Sequence, residues 1–228
     1  MLPLRDELPA SRPPVVTRLL IVANVLAFVF ELSLGHGLGE FFRMHGLVPA
    51  RLAAAMAGNE SFAGPVASVA VSMFLHANWM HLIGNMWYLW IFGDNVEDRL
   101  GRVGFLVFYL AAGAASAALH VLINPWSPVP TVGASGAIAG VLGAYLVLYP
   151  RARVLTLVPI FFFIQIVALP AFLVLGFWFV VQFLYGTLTL GASGGGTAFW
   201  AHVGGFVFGL IVGLAALGGG SSRAWVEK

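Results

Sequence analysis

The sequence contains little charge and no cysteine. Of its 228 residues, 11 are Lys or Arg and 9 are Asp or Glu, so 9% are charged, against roughly 25% in an ordinary soluble domain. Apolar residues make up 60% of the chain, more than so few charges could keep soluble. Disorder is excluded as well, because disordered chains are poor in aromatic and aliphatic residues. The composition therefore predicts an all-α, polytopic membrane protein.

The absence of cysteine excludes disulfide scaffolds, thiolate metal sites and cysteine nucleophiles. Runs of basic residues are missing too, and the net charge is only +2, so nucleic acid is not expected as a partner. The first apolar run is not closed by a small-residue cleavage pattern, and we therefore expect it to be a retained membrane anchor rather than a signal peptide.

Six membrane spans are predicted, since each needs about 20 predominantly apolar residues. Two long stretches, Val103–Pro150 and Val154–Ser222, contain no Asp, Glu, Lys or Arg, and each is broken once, at Asn124–Pro130 and at Gly191–Gly196. Each stretch therefore holds two spans. Two further spans precede these stretches, at Leu19–Leu34 and at Met80–Phe92, and the second of them extends toward Leu100. The two spans of the second stretch are about Gln165–Thr187 and Phe199–Leu217. Val154–Phe163 is predicted to be a short apolar approach segment.

Lys and Arg are distributed unequally between the predicted loops. Nine of the eleven lie at the termini and in the second and fourth loops, and only Arg43 and Arg51 lie in the first loop. The positive-inside rule then predicts that both termini are cytoplasmic. The predicted organisation is a cytoplasmic N-terminal segment (1–17), a six-helix membrane domain (18–217) whose first loop (35–75) lies outside, and a cytoplasmic tail (218–228).

Polar side chains at membrane depth are costly and are therefore functional candidates. His81 and Asn85 are four residues apart, on one face of the second span, and His76 precedes them. A zinc site of the H-E-x-x-H type needs histidines four apart with an acidic residue between them, so no metal site is expected here. Hydrogen bonding to a neighbouring helix is an alternative role for His81 and Asn85.

The fourth span opens at Ser135, within Gly133-Ala134-Ser135-Gly136. A serine at a helix start is commonly an N-cap. However, a helix from Ser135 to Pro150 would be only about 22 Å long, shorter than the roughly 30 Å hydrocarbon core. Such a helix should begin inside the membrane and leave free N–H groups there, which suits an oxyanion site.

His202 is an isolated ionisable residue at the start of the sixth span. Small residues recur every four positions on spans four and six, at Gly136, Gly140, Gly205 and Gly209, and this spacing allows two helices to pack closely. Such packing would bring His202 toward Ser135. No Asp or Glu is placed to orient His202, so the sequence favours a Ser-His dyad over a triad.

Together these motifs resemble those of the rhomboid intramembrane serine proteases. The resemblance covers about Arg18 to Leu217, and it depends on three motifs: His76-x4-His81-x3-Asn85, Gly133-Ala134-Ser135-Gly136 and His202-x2-Gly205-x3-Gly209. Many members of this family carry a Trp-Arg pair in the first loop, and this loop lacks it.

The resemblance implies a six-helix bundle with a water-filled cavity that opens away from the cytoplasm. It implies that Ser135 is the nucleophile and His202 its general base. His81, Asn85 and the Ser135 backbone N–H would form the oxyanion hole, with His76 in a supporting role. The expected substrates are transmembrane segments of other proteins in the lipid bilayer, and no cofactor or metal is expected.

Two other functions stay open. A proteolytically silent relative could bind membrane clients, although such relatives usually lack the Ser or the His. A small-solute transporter could use a polar pathway through His81, Asn85 and His202; inverted repeats would favour it, but none is visible in the sequence.

Overall fold

The computed structural model describes residues 1–59, 61–160, 163–189 and 198–218. It is mostly helical, with one small sheet. The helices are α1 (Val15–Ser33), α2 (Leu38–His45), α3 (Pro49–Met56), α4 (Ala63–Ser72), α5 (Trp79–Leu100), α6 (Arg102–Ile123), α7 (Ser135–Leu148), α8 (Ala171–Leu188) and α9 (Phe199–Gly218). The strands are β1 (Leu2–Asp6), β2 (Arg153–Ile160) and β3 (Phe163–Pro170). The predicted break at Gly191–Gly196 and the tail beyond Gly218 lie outside the described residues.

Six of the helices, α1 and α5 to α9, correspond to the six predicted spans. Four of these are long and apolar enough to cross a membrane: α1, α6, α8 and α9. Helix α7 is apolar but has only 14 residues, which gives about 21 Å. Helix α5 carries more polar residues along its length, His81, Asn85 and Asp94 among them. The chain is an integral membrane protein of the polytopic helical class, as the composition predicts.

The segment between α7 and α8 differs from the prediction. The sequence predicts an apolar approach segment at Val154–Phe163 and the start of the fifth span at Gln165, but Arg153–Ile160 and Phe163–Pro170 pair as the antiparallel strands β2 and β3, and α8 begins at Ala171. Strand β1 pairs with β2, with Leu2 opposite Leu157, so the sheet order is β1-β2-β3. Hydropathy alone cannot separate the two structures, whereas the many β-branched residues of this segment favour strands.

The first predicted loop (35–75) contains three short helices, α2, α3 and α4, and is joined to the loop that precedes α7. Leu47 and Thr131 exchange two backbone hydrogen bonds. The Gly133 N–H donates to the carbonyl oxygen of Ser72 over 2.9 Å. The approach to α7 is therefore held by backbone bonds to the first loop.

Two carboxylates, the buried Glu97 and the half-buried Asp6, connect the elements at the end of the bundle that carries the sheet. Glu97 of α5 accepts the backbone N–H groups of Val16 and Thr17 and the Thr17 hydroxyl, over 2.8 to 2.9 Å, and so satisfies free donors at the start of α1. Asp6 of β1 accepts the Tyr145 hydroxyl over 2.6 Å and the Asn95 amide over 2.9 Å. Strand β1 is thereby tied to both α5 and α7.

Helices α7 and α9 approach each other until their backbones touch. A methyl group added to Gly205 would overlap the carbonyl oxygen of Gly136, and one added to Gly209 would overlap that of Gly140. Glycine at these two positions is therefore required by the close approach. The contact aligns the first turns of α7 and α9.

Candidate active site

Ser135 is the first residue of α7, at the end of the bundle away from the sheet. Its hydroxyl Oγ lies 2.8 Å from Nε2 of His202, and no side-chain cap is formed at this helix start. The N-cap role that is common for serine at a helix start therefore does not apply here. The glycine seam between α7 and α9 places these two side chains in contact, because both belong to first turns that the seam aligns.

His202 lies in the first turn of α9 and is only 8% exposed. Its second ring nitrogen, Nδ1, is 2.7 Å from Oε1 of Gln182 on α8. A glutamine carbonyl oxygen can only accept a hydrogen bond, so Nδ1 carries the proton in this arrangement. Nε2 is then the unprotonated nitrogen, and it can accept the proton of the Ser135 hydroxyl.

Gln182 is a site residue that the sequence reasoning missed. The sequence correctly offers no Asp or Glu to orient His202, but a side-chain amide takes that position. Gln182 is buried, and a buried amide within an apolar span is itself a costly group that needs a partner. That signal is present in the sequence, in the last quarter of the predicted fifth span.

His81, one of the two oxyanion candidates of α5, lies next to the residues that lead into Ser135. Asn78 caps α5 by accepting the His81 N–H over 2.9 Å. The His81 ring lies against Gly133, where a methyl group would come within 2.6 Å of the ring atoms Cε1 and Nε2. Gly133 has φ of +129°, a conformation that L side chains rarely adopt, so both the space and the backbone call for glycine.

Asn85 and His76 form a buried pair beneath His81. The Asn85 amide nitrogen Nδ2 lies 3.0 Å from Nε2 of His76, and the rings of His76 and His81 meet edge to face at 5.2 Å. An amide nitrogen has two donors, so Asn85 keeps one N–H for another acceptor. His76 lies in the connection that leads into α5, so this contact does not itself join Asn85 to a neighbouring helix.

These residues bring together the parts that acyl transfer requires. A hydroxyl contacts an unprotonated imidazole nitrogen, and the ring of His81 lies against Gly133, two residues before that hydroxyl. Within the described ranges, no group of three or more His, Asp or Glu side chains could hold a metal ion.

Comparison with known proteins identifies the family of this chain. The family model of the Rhomboid domain matches residues 63–218, which include every candidate site residue from His76 to His202. The chain belongs to the rhomboid family.

Three curated relatives illustrate the range of the family. The chain is 35% identical over 99 residues to Rhomboid protein 1, mitochondrial, of Saccharomyces cerevisiae, covering 40% of this chain and 28% of the relative. It is 43% identical over 67 residues to Rhomboid-like protein 11, chloroplastic, of Arabidopsis thaliana (29% and 24%). It is 43% identical over 72 residues to Rhomboid protease GluP of Bacillus subtilis (32% and 14%). The matched segments span less than a third of the length of these relatives.

Proposed function

We propose that the protein is an intramembrane serine endopeptidase that cleaves transmembrane segments of other membrane proteins with Ser135 and His202. The observation that carries the proposal is the chain of contacts from Ser135 Oγ to His202 Nε2 and from His202 Nδ1 to Gln182. Membership of the rhomboid family supports it, as does the similarity to a relative named as a protease.

The reaction begins when Ser135 Oγ attacks a peptide carbonyl carbon and His202 Nε2 takes the hydroxyl proton. The tetrahedral oxyanion is stabilised by N–H donors of His81, Asn85 and the Ser135 backbone, each typically worth about 2.7–4 kcal/mol. The C–N bond then breaks, and the proton on Nε2 goes to the leaving amine. An acyl-enzyme ester remains on Ser135.

Water completes the cycle. His202 Nε2 removes a proton from a water molecule as its oxygen attacks the ester carbonyl, and the proton returns to Ser135 Oγ as the C–O bond breaks. Gln182 keeps Nδ1 protonated throughout, so the same nitrogen serves as base and acid. A substrate helix must unwind locally, because an intact helix shields its carbonyl groups.

The predicted topology sets the place of cleavage. With both termini cytoplasmic, the start of α7 faces the opposite side of the membrane, and substrates are cut near that surface. Its 14 residues are too few to cross the hydrocarbon core, so Ser135 would lie below the surface.

Mutation of the dyad tests the proposal. We expect Ser135→Ala and His202→Ala to lower cleavage of a model transmembrane substrate in proteoliposomes at least about 10³-fold, with unchanged membrane insertion. The matched controls are Ser33→Ala, an exposed serine of α1, and His36→Ala in the first loop. A fluorophosphonate probe should label the wild-type protein at Ser135, which peptide mapping identifies.

Cleavage by Ser135→Ala at the wild-type rate would refute the proposal. Binding of transmembrane peptides without cleavage or labelling would instead indicate a proteolytically silent rhomboid relative. Solute flux in the same vesicles without cleavage would indicate a transporter.

A further inference from the structure

Glu31 is a carboxylic acid inside a membrane-spanning helix, and the proposed reaction does not use it. It lies in the last turn of α1 and is 1% exposed. A buried ionisable group is costly unless it is paired or hydrogen-bonded. Glu31 therefore needs a hydrogen-bonding partner that offsets the cost of its burial.

That partner is the backbone of His76. The two carboxyl oxygens of Glu31 lie 3.1 and 3.2 Å from the His76 backbone nitrogen. His76 belongs to the connection between α4 and α5, where the backbone has no helical partner for this N–H. A buried N–H must nevertheless be satisfied, and Glu31 reaches across from α1 to accept it.

His76 connects this contact to the candidate site. Its side chain is fully buried; Nε2 pairs with the Asn85 amide, and the ring packs against His81. Glu31 therefore fixes the backbone of the residue that orients one oxyanion candidate and supports the other. His76 therefore connects Glu31 to Asn85: its backbone N–H donates to the Glu31 carboxyl group, and its side chain is bonded to the Asn85 amide.

We propose that Glu31 is a positioning residue for the oxyanion side of the active site, which acts by accepting the His76 N–H and so holding Asn85 in place. The inference depends on the proposed proteolytic function. Glu31 does not touch the reacting atoms, and its contribution is the position of a donor rather than a proton or a charge.

A second buried polar residue of α1 provides a matched control. Asn24 lies seven residues before Glu31, on the same face of the helix, and is fully buried. Its amide nitrogen donates to the Leu20 carbonyl of its own helix. Asn24→Leu therefore changes a buried polar group of α1 without touching the connection at His76.

The test compares four variants in the proteoliposome assay, with kcat, KM and thermal midpoint measured for each. We expect Glu31→Gln, which keeps an acceptor oxygen, to retain kcat within about threefold. Glu31→Leu, which has no acceptor, should lower kcat at least about tenfold and change KM less than twofold. This loss is smaller than the roughly 10²–10³-fold fall in kcat that follows removal of an oxyanion donor, because the donor is displaced rather than removed. Asn24→Leu should lower the thermal midpoint while leaving kcat within about twofold.

The fourth variant, Glu31→Asp, keeps the carboxyl group but shortens the side chain by one methylene. It replaces Glu31→Leu in the test if that variant does not fold. The kcat of Glu31→Asp should fall at least about threefold. The double variant with Asn85→Ala should have the same kcat as Asn85→Ala alone, because both substitutions act through one donor. Additive losses would overturn the proposal, and so would a Glu31→Gln variant as impaired as Glu31→Leu. Failure of the proposed function would look different, since either Ser135→Ala would cleave as fast as the wild type or the wild type itself would not cleave.

Discussion

Helix α9, which carries His202, is held differently by its two neighbours. Toward α7 the contact is made by backbone, with Gly205 and Gly209 against carbonyl oxygens of that helix. Toward α8 it is made by side chains: Phe179 stacks on Phe206 at 4.6 Å, Trp178 lies 5.8 Å from the His202 ring, and Gln182 supplies a hydrogen bond. The α7 side thus brings His202 to Ser135, the proposed nucleophile, and the α8 side orients the His202 ring, the proposed base.

The largest effect is expected from breaking the backbone contact. In Gly209→Ala the new methyl group would overlap the Gly140 carbonyl oxygen, and no rotamer change can relieve a backbone clash. We expect a destabilisation of about 1–3 kcal/mol or more, seen as a lower thermal midpoint, together with loss of cleavage.

The matched control is Gly176→Ala on α8, where an added methyl group meets no described atom within 4 Å. Replacing glycine within a helix there should stabilise by about 0.5–1 kcal/mol and preserve activity. Equal responses of the two variants would mean that α7 and α9 are not in backbone contact.

The next effect is expected from the orienting hydrogen bond on the α8 side. Gln182→Leu removes the acceptor for His202 Nδ1–H, so the ring can adopt the tautomer that leaves Nε2 protonated. We expect kcat to fall at least about tenfold, since a wrong tautomer cost about 10⁴ in a serine protease, while KM changes little. Phe183→Leu, an exposed neighbour on the same helix, is the control; an unchanged kcat in Gln182→Leu would exclude the orienting role.

A smaller effect is expected from the aromatic contacts. Phe179→Leu keeps most of the apolar volume but removes the stacked ring, and an aromatic pair contributes about 0.5–1.5 kcal/mol beyond its buried area. The thermal midpoint should fall by a few degrees while kcat stays within about twofold. A kcat loss as large as that of Gln182→Leu would show that side-chain packing on α8 also sets the geometry of the base.

The smallest effect is expected at the far end of α7, where Asp6 bonds to Tyr145. Burial raises the pKa of Asp6 to about 6 from an ordinary value of 3.8; the hydrogen bond from Tyr145 opposes the rise, and Asp94 adds to it. Because the folded pKa is higher than the unfolded one, stability is greatest below about pH 4 and falls as pH rises toward 6. The thermal midpoint should show this decline, and Asp6→Asn should flatten it; a decline that persists in Asp6→Asn must come from another group.

The sequence predicts those parts of the molecule that depend on the scarcity of charged residues and on the spacing of glycines. Charge-free stretches delimit the spans because charges are excluded from lipid, and the four-residue glycine repeats predict which helices touch. Both signals are local and strong. The family membership follows from motifs of the same kind.

The remaining features depend on contacts between distant segments. Gln182 lies in the predicted fifth span, but only the packing of α8 against α9 shows that it reaches His202. The bond from Glu31 to the His76 backbone leaves no pattern, because a backbone N–H is the same in every residue. The sequence does not predict the sheet because β2 and β3 carry no charge beyond Arg153 at the start of β2, and Phe163 and Ile164 are apolar although they are 72% and 71% exposed.

The sheet also imposes an order in time on the assembly of the chain. Leu2 pairs with Leu157, so β1 is synthesised long before its partner strand exists. At about 5–20 residues per second, it stays without β2 for roughly ten to thirty seconds, while the first four spans are made. The bonds from Asp6 to α5 and α7 must likewise wait for those helices, and His202 follows later still. A nascent chain therefore carries Ser135 before His202, and under the proposed function it gains the ability to cleave its neighbours only when α9 is in place.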